Sequence, residues 1–207
     1  AAHSKQLVVA WLGKGWFHPD DLAATTVVGR LTGIYLPFWT FDTEVDAKWK
    51  AEVGYEHTVR HYNASTKSWE TRTQIVWRWE QGDVHLSIDD FLVTGSSPKR
   101  ISLRILKEVS NFAMSGLETY EPDYLAGWQA QVYETTLTEA WEVGKNAIRE
   151  QAKKAYYQDI RTSHVRNFSM SADFRDESWR YVLLPVYVAA YRSGEVTYQV
   201  MVNGQTG

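Results

Sequence analysis

At 207 residues, 44% of them apolar and 23% charged, the chain can form one large domain or two small ones around a substantial core. Its net charge of −3 gives no bulk attraction to nucleic acid or anionic lipid. With no cysteine it has no disulfide framework and no thiolate metal site, and no apolar run approaches the roughly 20 residues that cross a bilayer.

Ten Trp and twelve Tyr are the compositional outlier. Large aromatics packing a sheet explain them most simply; an aromatic-lined groove for a ligand or partner is the sharper alternative. In chain order, Ser4 caps a short helix with Leu7, Val8, Trp11 and Leu12 on one face. His18-Pro19-Asp20-Asp21 starts a second, brief helix. Ile34 to Asp42 reads as a strand apolar on both faces, with Val45 to Val53 returning beside it. Tyr55 to Tyr62 and Trp69 to Gln81 continue the antiparallel pattern. Trp69, Thr71, Thr73, Ile75, Trp77 and Trp79 share one face of that strand. Gly82-Asp83 reads as the next turn, followed by Val84 to Val93.

Ser97 and Pro98 predict a helix with Ile101, Ile105, Val109 and Phe112 on one stripe, ended by Gly116. Gly127 to Tyr133 reads as extended. Leu137 to Asp159 is the clearest helix, with Thr136 and Glu139 at capping-box spacing. A strand from Thr162 to Ala172 precedes a hairpin formed by Val182–Tyr191 and Val196–Val202 around a Ser-Gly turn. Leu36-Pro37-Phe38-Trp39 matches Leu184-Pro185-Val186-Tyr187, which suggests a duplicated hairpin unit spanning 33–54 and 181–204. The element order predicts a single α+β domain over residues 1–207: an antiparallel β-sheet with helices packed on one face. The ending at a turn-like Gly207 suggests a domain excised from a longer protein.

Candidate chemistry is sparse. His57 and His61, with Glu56 beside them, invite a metal reading, but on a strand the two histidines stand about 13 Å apart, too far to share one ion; His85 could join one of them from a neighbouring strand. Asp89 and Asp90 are a carboxylate pair whose side chains should point to opposite faces, and Asp42, Asp46 and Asp83 have no stronger claim. Lys48-Trp49-Lys50 and Trp77-Arg78-Trp79 interleave bases with aromatics, as single-strand nucleic-acid grooves do. Alternation across the pleat makes a buried Trp beside an exposed charge the simpler reading. No phosphate loop, nucleophile elbow or metal-ligand cluster is present, so no catalytic, cofactor or metal residue is assigned.

Tyr35-Leu36-Pro37-Phe38-Trp39 with Phe41-Asp42, Asp89 to Val93, Tyr120 to Trp128, Leu184 to Tyr187 with Tyr191, and Val202-Asn203-Gly204-Gln205-Thr206-Gly207 occur in an order similar to that of one bacterial family. Over about residues 5–207 the chain resembles the soluble central domain of zinc-ribbon-bearing, membrane-anchored proteins often mislabelled as primosomal helicases. The resemblance implies a non-enzymatic scaffold on the cytoplasmic face of the inner membrane, with phage-shock and flotillin-type membrane-stress proteins as partners. Zinc and membrane anchoring are implied only for segments outside this chain. The terminal hairpin is also similar, more weakly, to PepSY and cystatin-like modules. A small-ligand binder or enzyme with an aromatic-lined pocket is the alternative, and single-stranded nucleic-acid binding comes third.

Overall fold

The computed structural model describes residues 32–97, 106, 109–160, 164–193 and 196–206. The two expected amino-terminal helices, positions 98–105 and 107–108 of the helix expected from Pro98, and the Gly194–Glu195 turn lie outside those residues. The described end of that expected helix is not α-helical, since 110–113 are irregular and Met114–Gly116 is a single 3-10 turn. Strand β1 runs Thr32–Asn63, β2 Ser68–Thr94 and β3 Gln129–Ala130; helix α1 is Leu137–Asp159; β4 runs Val165–Ser193 and β5 Val196–Asn203. The sheet order is β2-β1-β4-β5, and β3 pairs in parallel with the start of β1.

This overturns the expected α+β arrangement. The described residues are mostly antiparallel β, 59% strand, with one long α-helix. The reason lies in three places where a turn was expected and the backbone runs straight on. Between Phe38 and Val53 there is no Gly, Pro or Asn to reverse the chain, so Val45 to Val53 continues β1 instead of returning beside it. Gly82 does not turn β2 either. A Cβ there would stand 2.9 Å from Cζ2 of Trp49, so the glycine is an opening through which an indole crosses the strand. The residues from Val165 to Ser193 likewise form one strand. It carries Asn167 and Asp176 at φ 52°, the left-handed geometry of β-bulges that Asn and Asp tolerate best.

The chain divides into two compact units. Unit 1 is Ala1–Phe41, Asp90–Gly144 and Trp179–Gly207; unit 2 is Asp42–Asp89 and Lys145–Ser178. In unit 1, Leu36, Phe38, Phe112, Val182, Leu184, Val186 and Met201 form one apolar cluster. Trp39, Phe41, Val93 and Ala140 form a second, with Trp141 stacked on Phe41 at 4.8 Å. In unit 2 the period-2 pattern is direct: Thr43, Val45, Ala47, Ala51 and Val53 of β1 are buried, while Asp42, Glu44, Asp46, Lys48, Lys50 and Glu52 alternate with them on the open face. Ile148, Ala152 and Tyr156 of α1 are also buried, at helical spacing. Tyr156 lies 4.2 Å from Trp49 and 4.7 Å from Phe168, ring centre to ring centre.

The capping box forms as expected: the backbone N–H and hydroxyl of Thr136 both donate to Glu139 at 2.8 Å, which holds that carboxyl below its ordinary pKa. The β4–β5 hairpin also forms, with Tyr187 opposite Val202 and Tyr191 opposite Tyr198.

The expected repeat takes a different form. Residues 33–54 are one strand, yet the carbonyl of Pro37 accepts a bond from the N–H of Gly95 at 2.8 Å, and that of Pro185 accepts one from Gly204 at 2.8 Å. The partner of the first Leu-Pro strand is therefore the end of β2. After each glycine a side chain closes the turn: Thr94 Oγ1 accepts from the N–H of Ser96, and Asn203 Oδ1 from Gln205 and Thr206.

Candidate interaction surface

The open face of unit 2 is built along β1. Asp42 accepts a bond from Ser178 at 2.8 Å, and Glu44 accepts one from Ser87 at 2.7 Å. His85 lies between two carboxylates, with Nε2 3.2 Å from Glu44 and Nδ1 2.8 Å from Asp46, and Arg175 pairs with Asp46. The bond from His85, then the charge of Arg175, hold the Asp46 carboxyl below its ordinary pKa against the opposing effect of burial. Further along, Glu52 takes bonds from Arg166 at 2.5 Å and Asn167 at 3.0 Å, and Glu56 meets His164 at 3.0 Å. The row is a charge-paired ladder. Both ring nitrogens of His85 face a carboxylate, which makes the ring a bridge between Glu44 and Asp46.

Beside this ladder runs the aromatic face of β2. The amphipathic reading of that strand assigned Trp69, Ile75, Trp77 and Trp79 to one face and expected it to be covered. Instead Trp69 is 64% exposed, Trp79 54% and Ile75 37%. Lys50 Nζ stands 4.8 Å over Trp79, and the Arg166 guanidinium 4.0 Å over Trp77. Tyr62 meets Trp69 edge-on at 5.5 Å. Such cation–π contacts are worth about 0.5–1 kcal/mol each at exposed sites, enough to orient the rings while leaving them in solvent. The other face of the same strands carries the Tyr55 hydroxyl, which donates to Glu80 at 2.5 Å and has its pKa raised chiefly by that bond.

The expectation of a buried Trp beside an exposed charge therefore holds for Trp49, which packs inward, and fails for Trp79. His57 and His61 lie on a strand, exposed, as the spacing argument required. His85 does not join them, because the β1–β2 register sets it beside Asp46. The alternation that separated Asp89 from Asp90 does not apply: Asp90 sits at φ 52° and breaks the pleat there, and it pairs with Arg180. The Arg166 and Glu52 pairing was invisible in the sequence, since its partners are over a hundred residues apart.

The Asn203-Gly204-Gln205-Thr206 ending has a structural role. Asn203, 6% exposed, donates from Nδ2 to the carbonyls of Val109 and Asn111, both at 3.0 Å. Gln205 exchanges two bonds with the backbone of Ala113. This motif fastens the 109–113 segment to the end of the sheet. A second aromatic set in unit 1 joins Trp39, Tyr133 and Tyr181 at 5.2–5.5 Å. Trp39 Nε1 donates to the carbonyl of Thr135, and burial, then Tyr133, raises the pKa of Tyr181.

No helix among the described residues is long and apolar enough to cross a membrane. No family model matches the chain and no solved structure matches it. Among curated proteins it is similar to an uncharacterized Bacillus subtilis protein, YdjG, at 21% identity over 214 residues, covering 99% of this chain and 58% of the relative. The chain thus spans less than two thirds of the length of the relative it matches.

Proposed function

We propose that this chain is a non-enzymatic protein-interaction domain whose recognition surface is the open face of unit 2. The observation that carries the reading is the exposed stripe of Trp69, Ile75 and Trp79. Exposed aromatics rimmed by paired charges are the composition of a protein-binding patch. Beside it His85 is tied to Glu44 and Asp46, Arg175 to Asp46 and Arg166 to Glu52, a rim of ion pairs. On this face Lys48, Lys50, Arg166 and Arg175 are interleaved with Glu44, Asp46, Glu52 and Glu56, and both arginines are paired to carboxylates; that is not the positive groove that tracks a single-stranded backbone.

The family resemblance extends the proposal. The whole protein is a bacterial inner-membrane scaffold that carries a zinc ribbon and hydrophobic segments outside these residues, with membrane-stress proteins as its partners. A relative longer than this chain is consistent with further segments.

Photocrosslinking in cells tests the surface. A photoreactive phenylalanine at Trp79 of the full-length protein is expected to give protein adducts in the membrane fraction. Adducts at Trp79 no more abundant than at the exposed helix position Glu150 would refute the reading. Zinc assay of the same purified protein tests the ribbon.

A further inference from the structure

The edge of β2 raises a question that its face does not. Among the described residues no strand lies on the outer side of β2, which ends the sheet. Natural edges are blunted by proline, bulges, brevity or charge; here the charges are Glu70, Arg72, Arg78 and Glu80. From Ser68 to Glu80 this one has no proline, and the positive-φ residues Lys67 and Asp90 lie outside that span. At about 3.4 Å per residue the span offers a ladder about 40 Å long.

We propose that this edge pairs with the same edge of a second copy of the chain, as an isologous antiparallel ladder with Gln74 on the two-fold axis. The charges choose the register. Centred on Gln74, Glu70 faces Arg78 of the second copy twice over, Trp69 faces Trp79 twice over, and no like charges oppose. Centred on Ile75, Glu70 would face Glu80 and Arg72 would face Arg78, four repelling contacts in all. Centring on Thr73 leaves every charge without a counterpart. Centring on Val76 uses Glu80, whose carboxylate already accepts the Tyr55 hydroxyl, and sets Trp69 against Asp83. Glu70 remains suited to the role, since its bonds from Asn63 and Thr66 both fall on Oε1. The odd-numbered residues stay on one face throughout, so the two aromatic stripes become one continuous surface across the dimer.

The inference concerns the edge and goes beyond the recognition role given to the face. A monomeric chain overturns it and leaves that role standing, whereas missing adducts at Trp79 overturn the role alone. Sedimentation of the 207-residue chain over a concentration series should show a monomer–dimer equilibrium. Glu70→Arg and Arg78→Glu each set like charges opposite one another and should weaken it about tenfold or more. Mixing the two variants restores both pairs, so the mixture should dimerise where neither does alone.

The absence of cysteine gives a second measurement. Gln74→Cys should oxidise to a disulfide-linked dimer, because directly opposed Cα atoms lie about 4.5–5.5 Å apart, within the span a disulfide bridges. Arg72→Cys should not, because its own counterpart lies four residues, about 13 Å, along the partner strand. A chain monomeric at every concentration, reversal variants that dimerise like the parent, or equal crosslinking through positions 72 and 74 would each overturn the register.

Discussion

Gly82 separates two accounts of the same residue. If it were a turn glycine with ordinary negative φ, Gly82→Ala would be neutral or stabilise by about 0.4–1 kcal/mol through the unfolded chain. In the structure the new Cβ would lie 2.9 Å from Cζ2 and 3.0 Å from Cε2 of Trp49. That indole cannot retreat freely, because it also packs against Tyr156, 4.2 Å away between ring centres. Overpacking of this kind costs about 1–3 kcal/mol. Less the entropic gain, a net loss of about 1–2 kcal/mol is expected, or about 2–8 °C in Tm for a chain of this size. Urea unfolding followed by tryptophan fluorescence measures it. Trp49→Ala should erase the penalty of a second change at Gly82, so the double-mutant cycle should show about 1–2 kcal/mol of coupling. A Gly82→Ala variant as stable as the parent, or additive with Trp49→Ala, would refute the opening and return the residue to a turn.

Four further outcomes are expected. Gly204→Ala places a Cβ 2.6 Å from the Pro185 carbonyl oxygen, which is backbone and cannot rotate away, whereas Gly95→Ala meets Pro37 and Tyr133 at 3.1–3.2 Å; thermal melts should show the first losing about 2–3 kcal/mol and the second clearly less. Asn203→Ala strands two carbonyls and two N–H groups at a buried site, and chemical denaturation should register about 2–4 kcal/mol. Thr136→Ala removes the helix cap, for about 1 kcal/mol. Because the bonded Glu139 titrates below its ordinary range, its share of stability is present above the unfolded pKa and fades as pH falls through the folded one; the variant should lose that acid dependence. Tyr156, 1% exposed, is pushed by burial up to about 12, and its hydroxyl finds no partner among the described residues. Folding then favours the neutral phenol, so stability present below pH about 10 should decline between about 10 and 12. Tyr156→Phe should be neutral or stabilising near neutrality and should flatten that decline, as read by alkaline melts.

The sequence was informative wherever a signal was local. The cap at Thr136, the helix it begins and the β4–β5 hairpin depend on residues a few positions apart, and each formed. The error in fold class came from reading glycine and short polar runs as turns. A glycine that admits Trp49, or one that lies against Ile75 and His164 as Gly54 does, has the same letter as one that reverses the chain. Periodicity correctly assigned Trp69 to Trp79 to one face, but period alone cannot say whether that face is covered. The charge ladder depended on register between β1, β2 and β4, and no spacing within one strand encodes it. Asp90 escaped because a single bulge residue changes which neighbours share a face.

The two bulges in β4 cancel one another. Arg166 pairs with Glu52 and Ser178 with Asp42, two even-numbered residues on the open face; between the bulges it is odd-numbered Arg175 that pairs with Asp46. Phe168 meanwhile turns inward to Tyr156. The stretch from 168 to 175 is thus an inverted phase set inside an otherwise regular strand. Each bulge residue is the extra one that makes the shift, so deleting Asn167 or Asp176 would regularise the strand locally and keep both flanks facing as they do now. Deleting an ordinary residue of 168–175 would instead turn the residues beyond it inside out, exchanging apolar for charged. A one-residue loss along this strand is therefore tolerable at the two bulges and not between them.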